Sequence, residues 1–209
     1  FYVAGHLEPA LRVAGDAFDF AVNDHVLTLT VVDATGTEGA PSLVTTLVVT
    51  ALRNARRSRL PLHEQAALAS DIVWQHSRGR EHAAALLMQF DAGSGRATAV
   101  DAGSPAVLRR RDGRLDPLTL DAQTPLGMFD GTDYREEAVD LRAGDRAYLL
   151  TDGAFAENRT MQQVAGLLSG AEYAGDPPPE SIRRLTAELT DDGQEPEDDI
   201  TVMCVDWTN

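Results

Sequence analysis

The chain has 209 residues, of which 43% are hydrophobic, and this is enough to bury the core of a single globular domain. Its formal net charge is −15, from 33 acidic and 18 basic residues. Because nucleic acids and anionic membranes attract positively charged surfaces, this balance excludes a general nucleic-acid or membrane contact for the domain. No apolar run in the sequence approaches the length of a transmembrane helix.

A single cysteine, Cys204, lies within a predicted strand, so the chain forms no internal disulfide and the thiol is expected to be a small core residue. We therefore expect a reducing, cytoplasmic location. The chain begins at Phe1 rather than at a methionine. We expect residues 1–209 to form one catalytic domain of a longer regulatory protein.

The first third of the chain predicts a strand, a hairpin and a pair of helices. β-branched and apolar runs on either side of Asn23 and Asp24 indicate the hairpin. Pro41 suits the first turn of the first helix, and apolar residues recur on one face of the second. The strand, the two hairpin strands and the two helices are predicted over residues 1–10, 11–21, 25–32, 41–57 and 62–76, respectively.

From residue 83 onward the hydrophobic pattern first alternates with a period of two, which is typical of strands. Glycines in residues 93–95 and 112–113 are turn signals between these strands. Strands are predicted over residues 83–91, 96–101, 106–110, 147–152 and 200–205, and short helices over 161–169 and 179–189. Antiparallel clusters interrupted by a helical pair favour an α+β layered sandwich over an alternating parallel sheet.

Aspartates occur where several of these apolar strands begin or end. Asp16 and Asp33 lie early in the chain, and Asp152 and the neighbours Asp198 and Asp199 lie late. A buried carboxylate needs a partner, and hard divalent cations prefer carboxylate oxygens. Taken singly, each aspartate is also compatible with a turn or a helix cap. Taken together, the four acidic strand ends predict one metal site with oxygen ligands.

Seven short motifs resemble a known family. Residues 14–19 (Ala-Gly-Asp-Ala-Phe-Asp) resemble the GGDxxD element of the PPM, or type 2C, metal-dependent Ser/Thr protein phosphatases. Residues 33–39 resemble the DxSGxG loop of the RsbU-like and stage II sporulation protein E-like branch, and residues 101–105 are similar to its NAGHxP turn. Further matches follow in the expected order at residues 125–127, 144–145, 151–153 and 198–201. The chain departs from the family at Ala14 and Ser104, where the motifs carry glycine and histidine.

The resemblance implies a fold, an activity and a partner. The fold is a four-layer αββα sandwich of two antiparallel sheets flanked by helices. The activity is hydrolysis of phosphoserine or phosphothreonine in proteins by a water that two Mn²⁺ or Mg²⁺ ions activate. The implied substrate is a phosphorylated anti-sigma-factor antagonist of a partner-switching pathway, and the branch also implies association into a homodimer.

The same resemblance implies roles for individual residues. Asp33 is the expected bridging ligand and, with Asp152, the expected catalytic residue. Asp198 is favoured over Asp199 as the other carboxylate of the first metal shell, but the choice stays open. The full expected metal-ligand set is Asp16, Asp33, the backbone carbonyl of Ala34, Asp152 and Asp198, and Arg12 is expected to hold the substrate phosphate. Asp19 is expected to be structural.

Two other functions fit the same sequence. A pseudophosphatase would retain the fold as a binding module without catalysis, although the intact aspartates argue against it. A hydrolase of small phosphoesters would use the same metals on free substrates. Thr35 occupies the place where eukaryotic relatives carry a histidine, so no acid for the leaving group is carried over from the family.

Overall fold

A computed structural model describes residues 1–10, 15–36, 40–103, 106–155, 159–170, 173, 175–190 and 196–208. The chain divides into two compact units. The first unit comprises Phe1–Arg12, Ala106–Thr119 and Leu141–Asn209, and the second comprises Val13–Pro105 and Leu120–Asp140. In its described residues, each unit contains one five-stranded antiparallel sheet and two α-helices, which confirms the expected α+β class.

In chain order, the elements are β1 (Tyr2–Glu8), β2 (Asp16–Asn23), β3 (Val26–Thr35), α1 (Ala40–Arg57), α2 (Leu62–Ser77), β4 (His82–Asp91), β5 (Arg96–Ala102), β6 (Ala106–Arg111), β7 (Arg114–Leu118), β8 (Glu137–Val139), β9 (Arg146–Leu150), a 3₁₀ turn (Asp152–Phe155), α3 (Met161–Leu168), α4 (Pro178–Thr190) and β10 (Ile200–Asp206). Among the described residues, no helix is both long and apolar enough to cross a membrane.

The sheet of the first unit has the strand order β1-β10-β9-β6-β7. Helices α3 and α4 pack their apolar residues against one face of this sheet. In the resulting core, Tyr148, Leu150 and Val202 of the sheet and Leu185 of α4 are inaccessible to solvent. Cys204 belongs to the same core, and burial raises the pKa of its thiol to about 12. A thiol with so high a pKa stays protonated at neutral pH, so Cys204 is a core residue and not a nucleophile.

The sheet of the second unit has the strand order β2-β3-β4-β5-β8. Helices α1 and α2 pack on one of its faces, and their apolar residues share a buried cluster with Val32, Ala34 and Leu87. Since successive side chains of a strand point to opposite faces, Asp33 lies on the face of this sheet that the helices do not cover.

The predicted hairpin, the helical pair, the strands from residue 83 to 111, the two late helices and the last strand are all confirmed, with ends that differ by a few residues. Residues 11–14 of the predicted hairpin strand lie outside the described part of the chain. Strands β7 and β8 were not predicted. β7 is an edge strand that contains Pro117, and β8 has only 3 residues, so neither carries the usual strand pattern. Asp152 begins the 3₁₀ turn instead of ending β9.

Candidate active site

Two of the predicted metal ligands lie opposite each other in the second unit. The antiparallel register of β2 and β3 pairs Asp16 with Asp33. Directly opposed residues point to the same face of a sheet, with their Cβ atoms about 4.5–5.5 Å apart. Asp16 is only 6% exposed. The hairpin therefore holds two carboxylates side by side at one end of the sheet.

The carbonyl group of Gly15, next to Asp16, accepts hydrogen bonds from two different elements. The carbonyl oxygen of Gly15 accepts a hydrogen bond from the N–H of Ala34 at 3.3 Å, and a second one from the hydroxyl of Thr45 in α1. Ala34, whose own carbonyl is a predicted metal ligand, thus contacts the residue that precedes Asp16. The backbone segments that carry these expected ligands are joined to each other and to α1.

Asp19 belongs to the same motif as Asp16 but lies on the helical side of the sheet. Its carboxylate accepts hydrogen bonds from Arg53 Nε at 3.1 Å, from Arg53 Nη2 at 2.8 Å and from Arg56 Nη2 at 3.0 Å. The hydrogen bond with Asp19 raises the pKa of Arg53. These contacts attach the end of α1 to β2, so the structure places Asp19 in the packing of the helix.

The other predicted carboxylates lie together in the first unit, where β9 ends and β10 begins. The N–H of Thr151 donates to the carbonyl of Thr201 at 3.1 Å, and the N–H of Thr201 donates to the hydroxyl of Thr151 at 2.8 Å. A Cβ at Gly153 would lie only 2.1 Å from the carbonyl oxygen of Asp199. Glycine at position 153 therefore lets the 3₁₀ turn, which starts with Asp152, pack directly on the backbone of Asp199.

The carboxylates of Asp152, Asp198 and Asp199 lie near one another, and their combined negative charge would attract a cation. Burial raises the pKa of Asp198, and the nearby carboxylates of Asp152 and Asp199 raise it further, against a lowering hydrogen bond from the N–H of Asp199. Asp199 Oδ1 accepts a hydrogen bond from the backbone N–H of Ala10 at 2.8 Å. Asp198 Oδ1 likewise accepts a hydrogen bond from the backbone N–H of Asp199, so the choice of Asp198 over Asp199 as the ligand stays a prediction.

The donor chemistry of both places fits a hard divalent cation. Opposed like charges on a sheet, as at Asp16 and Asp33, are destabilising, and so is the group around Asp198. Within the described residues of each unit, however, no group of three or more His, Cys, Asp or Glu side chains is arranged to hold a metal ion. Magnesium-like ions are commonly held by one or two carboxylates and keep several waters, which agrees with sparse protein ligation.

Several predicted residues lie outside the described part of the chain. They are Arg12, Ala14, residues 37–39 of the second motif, Ser104 and Pro105. The phosphate-binding role of Arg12 therefore stays a prediction. The sequence reasoning did not single out Thr45, because a threonine within an apolar helical pattern carries no signal of a partner 30 residues away.

Comparison with protein families identifies the chain. The sequence profile described as Stage II sporulation protein E (SpoIIE) matches residues 23–208. The chain belongs to the SpoIIE family. The matched residues include Asp33, Asp152 and Asp198, whereas Arg12 and Asp16 precede them. Comparison with curated protein sequences finds no match.

Solved structures extend the SpoIIE likeness to the whole fold. The PP2C phosphatase domain of SpoIIE from Bacillus subtilis, solved with a fragment of its regulatory domain, is 17% identical with a TM-score of 0.86, over 99% of this chain and 61% of that one. The RsbU and RsbW domains of Rv1364c from Mycobacterium tuberculosis are 22% identical with a TM-score of 0.84, over 97% and 58%. The chain thus spans about three fifths of each of these two relatives.

A third structure adds a metal complex. The catalytic domain of the serine/threonine protein phosphatase PstP, in complex with 2 manganese ions, is 20% identical with a TM-score of 0.72, over 99% of this chain and 98% of that chain. These likenesses show that the fold of this SpoIIE-family chain is that of the PPM phosphatases, as expected from the motifs.

We predict that Gly153→Ala destabilises the protein. The added Cβ meets the backbone carbonyl of Asp199, which cannot move aside as a flexible side chain can. Overpacking of this kind costs about 1–3 kcal/mol. Gly166→Ala is the control, because its Cβ meets nothing within 4 Å and alanine favours the interior of α3 by about 0.5–1 kcal/mol. Urea denaturation of both variants measures the two effects, and equal stability of Gly153→Ala and wild type would contradict the contact.

Proposed function

We propose that this chain is a metal-dependent phosphatase that hydrolyses phosphoserine and phosphothreonine in a protein substrate. The observation that carries the proposal is the SpoIIE family match over residues 23–208. The close placement of carboxylates within each unit supports it, because carboxylate oxygens are the ligands that hard divalent cations prefer.

The predicted site residues take the following roles in this proposal. Asp16, Asp33, Asp152 and Asp198 would supply the carboxylate ligands of the cations, with Asp16 acting directly or through water. The backbone carbonyl of Ala34 is a further ligand, a role that any residue type can fill. Arg12 holds the substrate phosphate, for which its planar guanidinium is suited.

The bound cations, Mn²⁺ or Mg²⁺, would supply an activated water and neutralise charge on the phosphoryl oxygens. The chain itself holds the carboxylates in place through strand pairing and through the bonds at Gly15 and Thr151. Thr35 has no acidic proton at neutral pH, so the proposal assigns no side chain as the proton donor to the leaving serine or threonine oxygen.

We predict that Asp33→Asn and Asp152→Asn each remove nearly all turnover. Both changes keep the shape of the side chain but remove a charged oxygen ligand. Turnover should fall at least about 100-fold, because replacing residues that only orient the metal ligands already lowers metal affinity or activity by about 10–100-fold. Both variants should also shrink the rise in melting temperature that Mn²⁺ produces in the wild type, since bound metal stabilises the folded state.

The control for this experiment is Asp130→Asn, which removes a carboxylate from an exposed loop of the second unit. Its turnover and its Mn²⁺ response should equal those of the wild type. Melting curves with and without Mn²⁺, paired with phosphatase assays that include Mg²⁺ and chelator, measure both quantities. Wild-type turnover in Asp33→Asn would show that the metal ligands are misassigned.

We further propose that the substrate is a phosphorylated antagonist of an anti-sigma factor, the class that the resemblance implies, and that the domain acts on it in the cytoplasm. The expected result is faster hydrolysis of such a phosphoprotein than of free phosphoserine at equal concentration. Equal rates would favour the small-phosphoester hydrolase. No hydrolysis of either compound with Mn²⁺ present would favour the pseudophosphatase.

The helical pair of the second unit supports a homodimer within this proposal. Leu43 on α1 and Leu68 on α2 are 47% and 39% exposed, so a second copy that covers them would bury apolar surface. We expect Leu43→Asp to shift the chain towards a monomer, as measured by light scattering during size-exclusion chromatography. Phe129→Asp is the control, because Phe129 is 61% exposed but lies outside the helices. A wild-type chain that is already monomeric would exclude this dimer.

A further inference from the structure

Two neighbouring threonines of α1 have different surroundings. Thr45 is only 5% exposed and lies between buried residues of the helix, whereas Thr46 is exposed. Both hydroxyls bond to the carbonyl of the residue four positions earlier, Pro41 at 2.9 Å and Ser42 at 2.8 Å. Thr45 alone also reaches a strand, through the carbonyl oxygen of Gly15.

The Thr45 hydroxyl has a single proton for its two acceptors. The bond to Pro41 satisfies a carbonyl of the same helix. Thr46, which is exposed, makes the same kind of bond to Ser42, so this bond does not require a partner outside α1. The bond to Gly15 instead joins α1 to the beginning of β2. Buried hydroxyl groups are nearly always hydrogen-bonded, so the Gly15 carbonyl gives this proton a partner outside the helix.

The held carbonyl belongs to the peptide unit that connects Gly15 to Asp16. A peptide unit is planar and rigid, so a fixed oxygen also fixes the direction in which the chain enters Asp16. The N–H of Ala34 binds the same oxygen at 3.3 Å, and Asp16 is paired with Asp33 in the sheet. Helix α1 contacts β2 a second time through Arg53, Arg56 and Asp19, so the helix holds both ends of the segment from Gly15 to Asp19.

We propose that Thr45 is a positioning residue for the metal ligand Asp16. Its hydroxyl holds the Gly15–Asp16 peptide in the orientation that places the Asp16 carboxylate beside that of Asp33. This inference rests on the proposed function, because it takes Asp16 and Asp33 to be ligands. It adds a residue that touches neither metal nor substrate and acts through the backbone of a ligand.

The test compares the Mn²⁺ affinity of four full-length proteins by isothermal titration calorimetry, without any substrate. Thr45→Val keeps the shape of the side chain and removes the hydroxyl, and we expect Mn²⁺ to bind about 10-fold more weakly, at the lower end for groups that orient metal ligands. Thr45→Ser retains the hydroxyl and should bind Mn²⁺ within about twofold of the wild type. Thr46→Val removes the hydroxyl that contacts only its own helix and should bind like the wild type.

Melting curves in metal-free buffer accompany the titrations and separate metal binding from folding. If Thr45→Val does not fold, Thr45→Ser and Thr45→Ala are compared, because these two side chains differ only by the hydroxyl. Wild-type affinity in Thr45→Val, or equal weakening in Thr45→Ser, would overturn the positioning role. Should Asp33→Asn still lose its Mn²⁺ response in that case, the proposed function stands without it, whereas a wild type that binds no Mn²⁺ removes both.

Discussion

Strand register and turn packing hold pairs of carboxylates close together in both units, and this placement is the main physical constraint in the protein. The register of β2 and β3 puts Asp16 directly opposite Asp33, and the packing of the 3₁₀ turn on β10 brings Asp152 near Asp198. Neither arrangement lowers the free energy of folding by itself, since like charges at this spacing oppose each other. A bound divalent cation would offset this repulsion, which is why we propose these carboxylates as metal ligands.

Strand register is what keeps the carboxylates on a common face. A slip of one residue between β2 and β3 would turn Asp33 towards the helical side of its sheet, into the cluster that contains Val32 and Ala34. Burying a charged group there is expensive, so the hydrophobic core beneath α1 and α2 protects the register and, with it, the place of the aspartates. In the second unit, the packing of the core thus also fixes the positions of Asp16 and Asp33.

Other aspartates of this protein are paired with arginine side chains. Arg53 and Arg56 bind Asp19, Arg111 binds Asp145 at 2.7 Å, and Arg146 binds Asp206. Asp19, Asp145 and Asp206 therefore have guanidinium partners from the protein. The fold thus separates structural aspartates, which face arginine, from Asp198, which faces other carboxylates.

From the sequence alone, we could predict the hairpin, the helices α1 and α2, the late helices and the aspartates near the strand ends. These features depend on neighbouring residues, through β-branched runs, helical periodicity and turn residues, and such local preferences can be read directly. The family motifs added the expected fold, which the structural likenesses confirm. Strands β7 and β8 lacked a local pattern, because one contains a proline at a sheet edge and the other is very short.

The contacts that hold the expected site residues could not be predicted from the sequence. The hydroxyl of Thr45 meets the carbonyl of Gly15 across 30 residues of sequence, and Ala10 meets Asp199 across 189. The pairing of Asp19 with two arginines likewise requires α1 to lie along β2. No local preference encodes such contacts, because they exist only after the strands have paired and the helices have packed on them. The aspartates could therefore be predicted from the sequence, whereas the hydrogen bonds and salt bridges around them are defined only in the folded chain.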